Sequence, residues 1–175
     1  SGELPTGIEV ADTSATSIHI GYVGDVEANI LPAGYSNQYF TAVSNNPKIA
    51  RIITLADENG YPIYKVVGVS AGTAEITLAS AADPTKTTTY TVEVLEGPDK
   101  SDLQEAIQNA QGVVESLYTA DSYATFKAAY DEAVSVYNDE SATRGAVESA
   151  TMALQNAYAG LTIQPVDSSL ELDPD

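Results

Sequence analysis

From Gly7 to about Glu96, apolar and polar positions alternate with a period of two. Ile18, Ile20 and Tyr22 alternate with polar or small residues, as do Tyr90, Val92 and Val94. That spacing sends one set of side chains to a core and the other to solvent, so these stretches are expected to be strands. Turn-forming residues fall at 23–25, 31–34, 45–47, 58–60, 71–72 and 83–84. Short strands between such turns are the pattern of a β-sandwich. Asn59-Gly60 predicts a hairpin with a type I′ turn. The Ser44-Asn45-Asn46-Pro47 corner reads as a turn whose polar side chains satisfy backbone groups, with Pro47 stopping the strand.

At Glu96-Gly97-Pro98-Asp99 the period changes to about 3.6. Leu103, Ala106, Ile107, Ala110, Val114 and Leu117 form a first helical stripe, opened by a Ser101–Gln104 capping box or by Asp99. Tyr123, Phe126, Tyr130, Ala133, Val134 and Tyr137 form a second, capped by Thr119 or Asp121. A third runs through Val147, Ala150, Leu154, Ala157 and Leu161, opened near Thr143 and closed by Gly160. The expected fold class is therefore two domains: an all-β immunoglobulin-like sandwich followed by an all-α three-helix bundle. The boundaries are 1–97 for the sandwich, 98–162 for the bundle and 163–175 for an acidic C-terminal linker.

Composition narrows the function classes. The 175 residues include 25 acids and 7 bases, a net charge of −18, which repels nucleic-acid phosphates and anionic lipid. No apolar run is long enough to span a bilayer, so no membrane insertion is expected. The N-terminus lacks the basic and apolar regions of a signal peptide. It looks like a piece cut from a longer protein, with Ser1-Gly2 a cloning remnant. Cysteine is absent, which removes disulfides, thiolate catalysis and zinc–thiolate sites.

Candidate chemistry is sparse. The single histidine, His19, lies between two core-facing isoleucines and is expected to point outward. The carboxylate pairs Asp57-Glu58, Asp131-Glu132 and Asp139-Glu140 are adjacent residues that point apart, unlike the facing carboxylates of a glycosidase. Asp57-Glu58-Asn59-Gly60 lacks the spaced ligands of an EF-hand, so calcium there is a minor reading. No catalytic residue, metal site or cofactor is expected. An internal isopeptide link from Lys48, Lys65 or Lys86 would need a buried acid alongside. Tyrosine is abundant, 11 residues against 2 Phe and no Trp. The Tyr123, Tyr130, Tyr137 stripe reads as helical core. Tyr35 with Tyr39, and Tyr61 with Tyr64, lie near turns and are the candidate carbohydrate-binding residues, because aromatic faces stack on sugar rings.

Two resemblances add to this. Gly24-Asp25, Pro32, the Ser44–Ala50 corner, Gly60 and the block Val66–Leu78, followed by Tyr90–Val94, resemble bacterial immunoglobulin-like domains of group 2. The match spans nearly all of residues 7–96, although the family often places Trp near Ala42. Asp99–Leu103, Tyr118–Tyr123, Ala142-Thr143 with Val147, and Ala153–Leu161 resemble the FIVAR module of Gram-positive surface proteins and secreted glycoside hydrolases, with Tyr123 where the family often has Trp. These resemblances imply a non-catalytic pair of modules, extracellular and associated with the cell surface or cell wall. They imply that the pair acts as a spacer that presents a neighbouring domain and as an adhesion element. The alternative is a carbohydrate-binding accessory module of a secreted glycoside hydrolase. Implied partners are neighbouring domains of the parent protein and extracellular glycans or surface proteins.

Overall fold

The computed structural model describes residues 3–165. The chain forms two compact units, one ending at Glu96 and the other beginning at Gly97. The first holds nine strands: β1 (Gly7–Val10), β2 (Ser17–His19), β3 (Val23–Asp25), β4 (Ala28–Leu31), β5 (Phe40–Ser44), β6 (Ala50–Ala56), β7 (Pro62–Gly68), β8 (Gly72–Ser80) and β9 (Thr87–Leu95). They pair as a two-stranded sheet β1-β4, a four-stranded sheet β2-β9-β8-β5 and a three-stranded sheet β3-β7-β6. All pairs are antiparallel except β2 with β9, which is parallel. Period-2 alternation does its work in β8 and β9. Ala74, Ile76 and Leu78 are buried and face Val92 and Val94, while Thr73, Glu75 and Thr77 are exposed.

The Ser44–Ile49 corner is architecture. The Asn45 side chain accepts from the Glu75 backbone N–H at 2.8 Å, and Asn46 Oδ1 accepts from the Lys48 N–H at 3.2 Å. Ser44 Oγ accepts from the Asn46 N–H, so each polar side chain of the corner meets a backbone donor that the ladder leaves over.

The second unit holds α1 (Ser101–Ala110), a single 3-10 turn (Glu115–Leu117), α2 (Ala120–Asn138) and α3 (Arg144–Ala159). Thr119 and Thr143 cap α2 and α3, accepting from the N–H groups of Ser122 and Ala146. Leu103, Ile107, Phe126, Ala133, Val147 and Leu154 are among the residues of its core.

The expected fold class, an all-β immunoglobulin-like sandwich followed by an all-α three-helix bundle, is corrected. The chain is β-rich, nine strands against three α-helices among the described residues, and those helices do not make a separate three-helix bundle domain. The first stripe stops early: α1 ends at Ala110, before Gln111-Gly112, and Val114 and Leu117 are exposed. Chain beyond it turns once as 3-10 helix, and Tyr118 then forms an antiparallel bridge with Ile163, with Gln164 N–H donating to Leu117 O. A strand-like pairing therefore closes a segment that the 3.6 period assigned to helix. It also ties down the first residues of the expected linker 163–175, whose residues 166–175 lie outside those described.

Smaller expectations change too. Residues 23–25 are strand β3 rather than a turn; Gly24 is there because a Cβ would meet Ala15 Cβ at 2.6 Å. The expected Ser101–Gln104 capping box does not form, and Asp99 instead accepts from the Ser101 N–H at 2.9 Å. His19 is half-buried, its ring edge-on to Tyr22 at 6.1 Å, because the chain leaves β2 there to cross β7. Lys65 pairs with Asp25, a half-exposed carboxylate, so that lysine has an exposed rather than a buried acid beside it.

Candidate functional site

The turn between β6 and β7 is built around Asp57. Among the described residues no non-glycine residue has a positive φ, and Gly60 has φ 84°, so the type I′ turn expected at Asn59-Gly60 is replaced by a turn with only Gly60 left-handed. Asp57 N–H donates to Tyr61 O at 2.8 Å and Gly60 N–H donates to Asp57 O at 3.0 Å. This is the three-residue hairpin loop in which a glycine follows an ordinary turn. The Asp57 carboxylate then fills the concave side. Its Oδ1 accepts from Asn59 N–H at 2.8 Å and from Tyr61 N–H at 2.9 Å, and its Oδ2 accepts from the Tyr39 hydroxyl at 3.1 Å. A carboxylate spent in this way leaves little for calcium, and no group of three or more metal-ligating side chains occurs among the described residues.

Asp57 brings two of the candidate tyrosines together. Tyr39 and Tyr61 stack with centroids 4.4 Å apart and planes 20° off parallel. Tyr39 is half-buried and Tyr61 is 52% exposed, so the outer ring of the stack faces solvent. The expected partners, Tyr35 with Tyr39 and Tyr61 with Tyr64, do not meet in the same way. Tyr61 and Tyr64 are an odd number of residues apart at a strand, which sends them to opposite faces. Tyr64 packs instead against Phe40 at 5.8 Å and against the β core. Tyr35 also lies on that core, half-buried, with its hydroxyl donating to Glu3 O at 2.9 Å. Of the four residues, only Tyr61 presents an open ring face. A cavity of about 350 Å³ adjoins Tyr39, with Phe40, Tyr64, Ile63, Glu27 and Ser36 in its walls.

Sequence reasoning missed Asp57 as the residue that positions this platform. The signal was present, since Asp two residues before Asn-Gly and four before Tyr61 is the spacing of a side chain that caps its own turn.

The electrostatics follow from the geometry. The Tyr61 N–H first, then those of Asn59 and the Tyr39 hydroxyl, hold the Asp57 carboxyl below its ordinary value, against partial desolvation. Partial desolvation, followed by the hydrogen bond to Asp57 and its charge, pushes the Tyr39 phenol up. A depressed carboxylate contributes stability that is complete above its unfolded value of about 3.9. That contribution is lost as pH falls through the lower folded value. The Asn59 and Tyr61 amide resonances are therefore expected to titrate together below pH about 4, and to lose that titration in Asp57→Asn. A midpoint at the ordinary carboxylate value would mean that these N–H groups do not hold the charged form.

Away from this site, Lys127–Asp131 and Arg144–Glu148 are exposed one-turn pairs on helices, at 2.6 and 2.9 Å. No helix among the described residues is long and apolar enough to cross a membrane.

Comparisons with known proteins give one curated relative and several solved structures, and no family model matches the chain. Over 69 residues the chain is 45% identical to a Lacto-N-biosidase of Bifidobacterium longum subsp. longum. That stretch is 39% of this chain and 4% of the relative, so the chain spans a small fraction of the relative's length. Domains 4 and 5 of the S-layer protein SbsC are 21% identical with a TM-score of 0.40, over 53% of each chain. The CBM51-2 and INT domains from Clostridium perfringens ZmpB are 15% identical with a TM-score of 0.40, over 85% of this chain and 38% of that one. The comparisons do not support the group 2 immunoglobulin-like or FIVAR resemblances.

Proposed function

We propose that the chain is a non-catalytic accessory module of a larger extracellular bacterial protein, a spacer that presents a neighbouring domain and contributes to adhesion. The observation that carries this is the 45% identity confined to 69 residues, which amount to 4% of a Lacto-N-biosidase. A stretch that small, shared at that level, is how an accessory module of a large protein looks. Under this reading residues 1–97 are the immunoglobulin-like module, 98–162 the FIVAR-like module and 163–175 a linker. Net charge of −18 keeps such a module soluble and away from other acidic surfaces. The test is turnover of fluorogenic glycosides, lacto-N-biosides included, by the isolated chain. No turnover is expected; hydrolysis lost on changing a single carboxylate would overturn the reading.

A second reading is carbohydrate binding by this module within a secreted glycoside hydrolase, and the stacked Tyr39–Tyr61 pair favours it. Tyr61 offers the open ring, Tyr39 supports it from behind, and Asp57 fixes both. Tyr64 then acts as wall and Tyr35 packs on the core. On a glycan array, Tyr61→Ala is expected to weaken binding by about tenfold or more, given 0.5–1.5 kcal/mol per aromatic contact and the lost apolar area. Tyr35→Ala should leave the array pattern unchanged. Binding that survives Tyr61→Ala would remove the platform from the account.

A further inference from the structure

We infer that the cavity beside Tyr39 is a subsite for an uncharged pyranose, with Glu27 setting that specificity. This rests on the carbohydrate reading of the Tyr39–Tyr61 platform. At about 350 Å³ the cavity falls at the low end of small-molecule pockets, roughly 300–1,000 Å³, which suits a single ring better than an extended chain. Phe40 and Tyr64, tilted 38° to one another, and Ile63 and Val26 supply apolar wall for the C–H face of a sugar.

The polar groups differ in what they have left to give. Gln38 has both donors spent: its Nε2 donates to Ile30 O at 3.1 Å and Tyr35 O at 2.7 Å, while its Oε1 accepts from Ile30 N–H at 2.9 Å and keeps one lone pair. It fastens the wall. Glu27 is the opposite case. Its backbone N–H is fixed by Ser14 Oγ at 3.1 Å, and Ser14, only 6% exposed, is held in turn near the Tyr90 hydroxyl at 3.2 Å. Its carboxylate makes no hydrogen bond among the described residues: the adjacent Lys65 ammonium is bonded to Asp25 and feels the charge of Glu27 only through space. The backbone is anchored and the acceptor is unspent. An ionised carboxylate only accepts, so it takes two sugar hydroxyls as donors and repels a sugar that brings its own carboxylate. Ser36 adds a hydroxyl on the same wall.

The experiment measures binding of the full chain to immobilised glucose, galactose and N-acetylglucosamine, each beside its carboxylated counterpart where one exists (glucuronate, galacturonate), together with sialic acid. The wild type is expected to prefer the uncharged partner by about tenfold or more. Glu27→Gln should lose about tenfold on the uncharged sugars and close the gap to the carboxylated ones. Far-UV circular dichroism checks that this exposed substitution leaves the fold intact. Equal binding of both classes by the wild type, or an unchanged ratio in Glu27→Gln while Tyr61→Ala still abolishes binding, would overturn this inference and spare the platform. Silence of the folded wild type on every sugar would overturn both.

Discussion

Gly68→Ala is expected to lower the melting temperature of the β-rich unit by roughly 15 °C or more, the largest single-residue effect in that unit. Gly68 ends β7 where four segments converge. It pairs with Ala50 of β6 and bridges Ile20 in parallel. Its N–H donates to Tyr22 O at 3.1 Å, and its carbonyl accepts from Gly21 N–H at 2.8 Å. A Cβ there would lie 2.5 Å from the His19 carbonyl oxygen and 3.1 Å from Val94 Cγ1. The first obstacle is backbone, which cannot swing aside as a side chain can. Relief requires the Ile20–Tyr22 crossing to lift, which breaks both of these hydrogen bonds and strains that from Ile20 N–H to Leu95 O. Overpacking costs about 1–3 kcal/mol and each hydrogen bond about 1 more. Gly7→Ala is the control, because its Cβ would make an ordinary 3.7 Å contact with Leu31 Cδ1. A thermal melt of Gly68→Ala within a few degrees of that control would show that the crossing can move without loss.

That crossing was not legible in the sequence, and the reason is physical. Strand pattern was legible where the strand itself is long, as in β8 and β9, since alternation then persists over nine residues. It faded in β2 and β3, three residues each, where one buried residue in Ile18 and a glycine in Gly24 are the whole signal. The parallel pairing of β2 with β9 joins residues more than seventy apart, and no local spacing encodes it. Helix starts were legible in Thr119 and Thr143, because a cap is a local hydrogen bond. The end of α1 was overrun, since Val114 and Leu117 keep the 3.6 period although they stand in solvent. At the candidate site the residue types were legible and the partners were not. Tyr39 and Tyr61 meet only because Asp57 folds the turn back, twenty-two residues separating the two rings along the chain. Glu27 gave no sign, for an exposed acid on a cavity wall reads like any solvated one.

In the helical unit, Leu154→Ala is expected to have the largest effect. Leu154 is fully buried on α3, in one cluster with Leu103, Phe126, Ala133 and Val147. Few of the cluster's members are large: Leu103, Ile107, Phe126 and Leu154 stand among alanines and valines. Truncating Leu154 removes its transfer energy and leaves a void that neighbouring alanines cannot reach into, a loss of about 2–5 kcal/mol. A core from a segment of this size supplies about 3–5 kcal/mol in total. The substitution therefore takes most of the unit's own margin. The expected observation is loss of a large part of the helical signal at 222 nm by 37 °C, with the amide resonances of Ala150 and Ala157 collapsing toward random-coil positions. Met152→Ala, on the same helix but 61% exposed, should shift the melt by no more than a degree or two. A Leu154→Ala protein that melts with its helices intact beside the Met152→Ala control would mean that the cluster around Leu154 is not what holds these helices together.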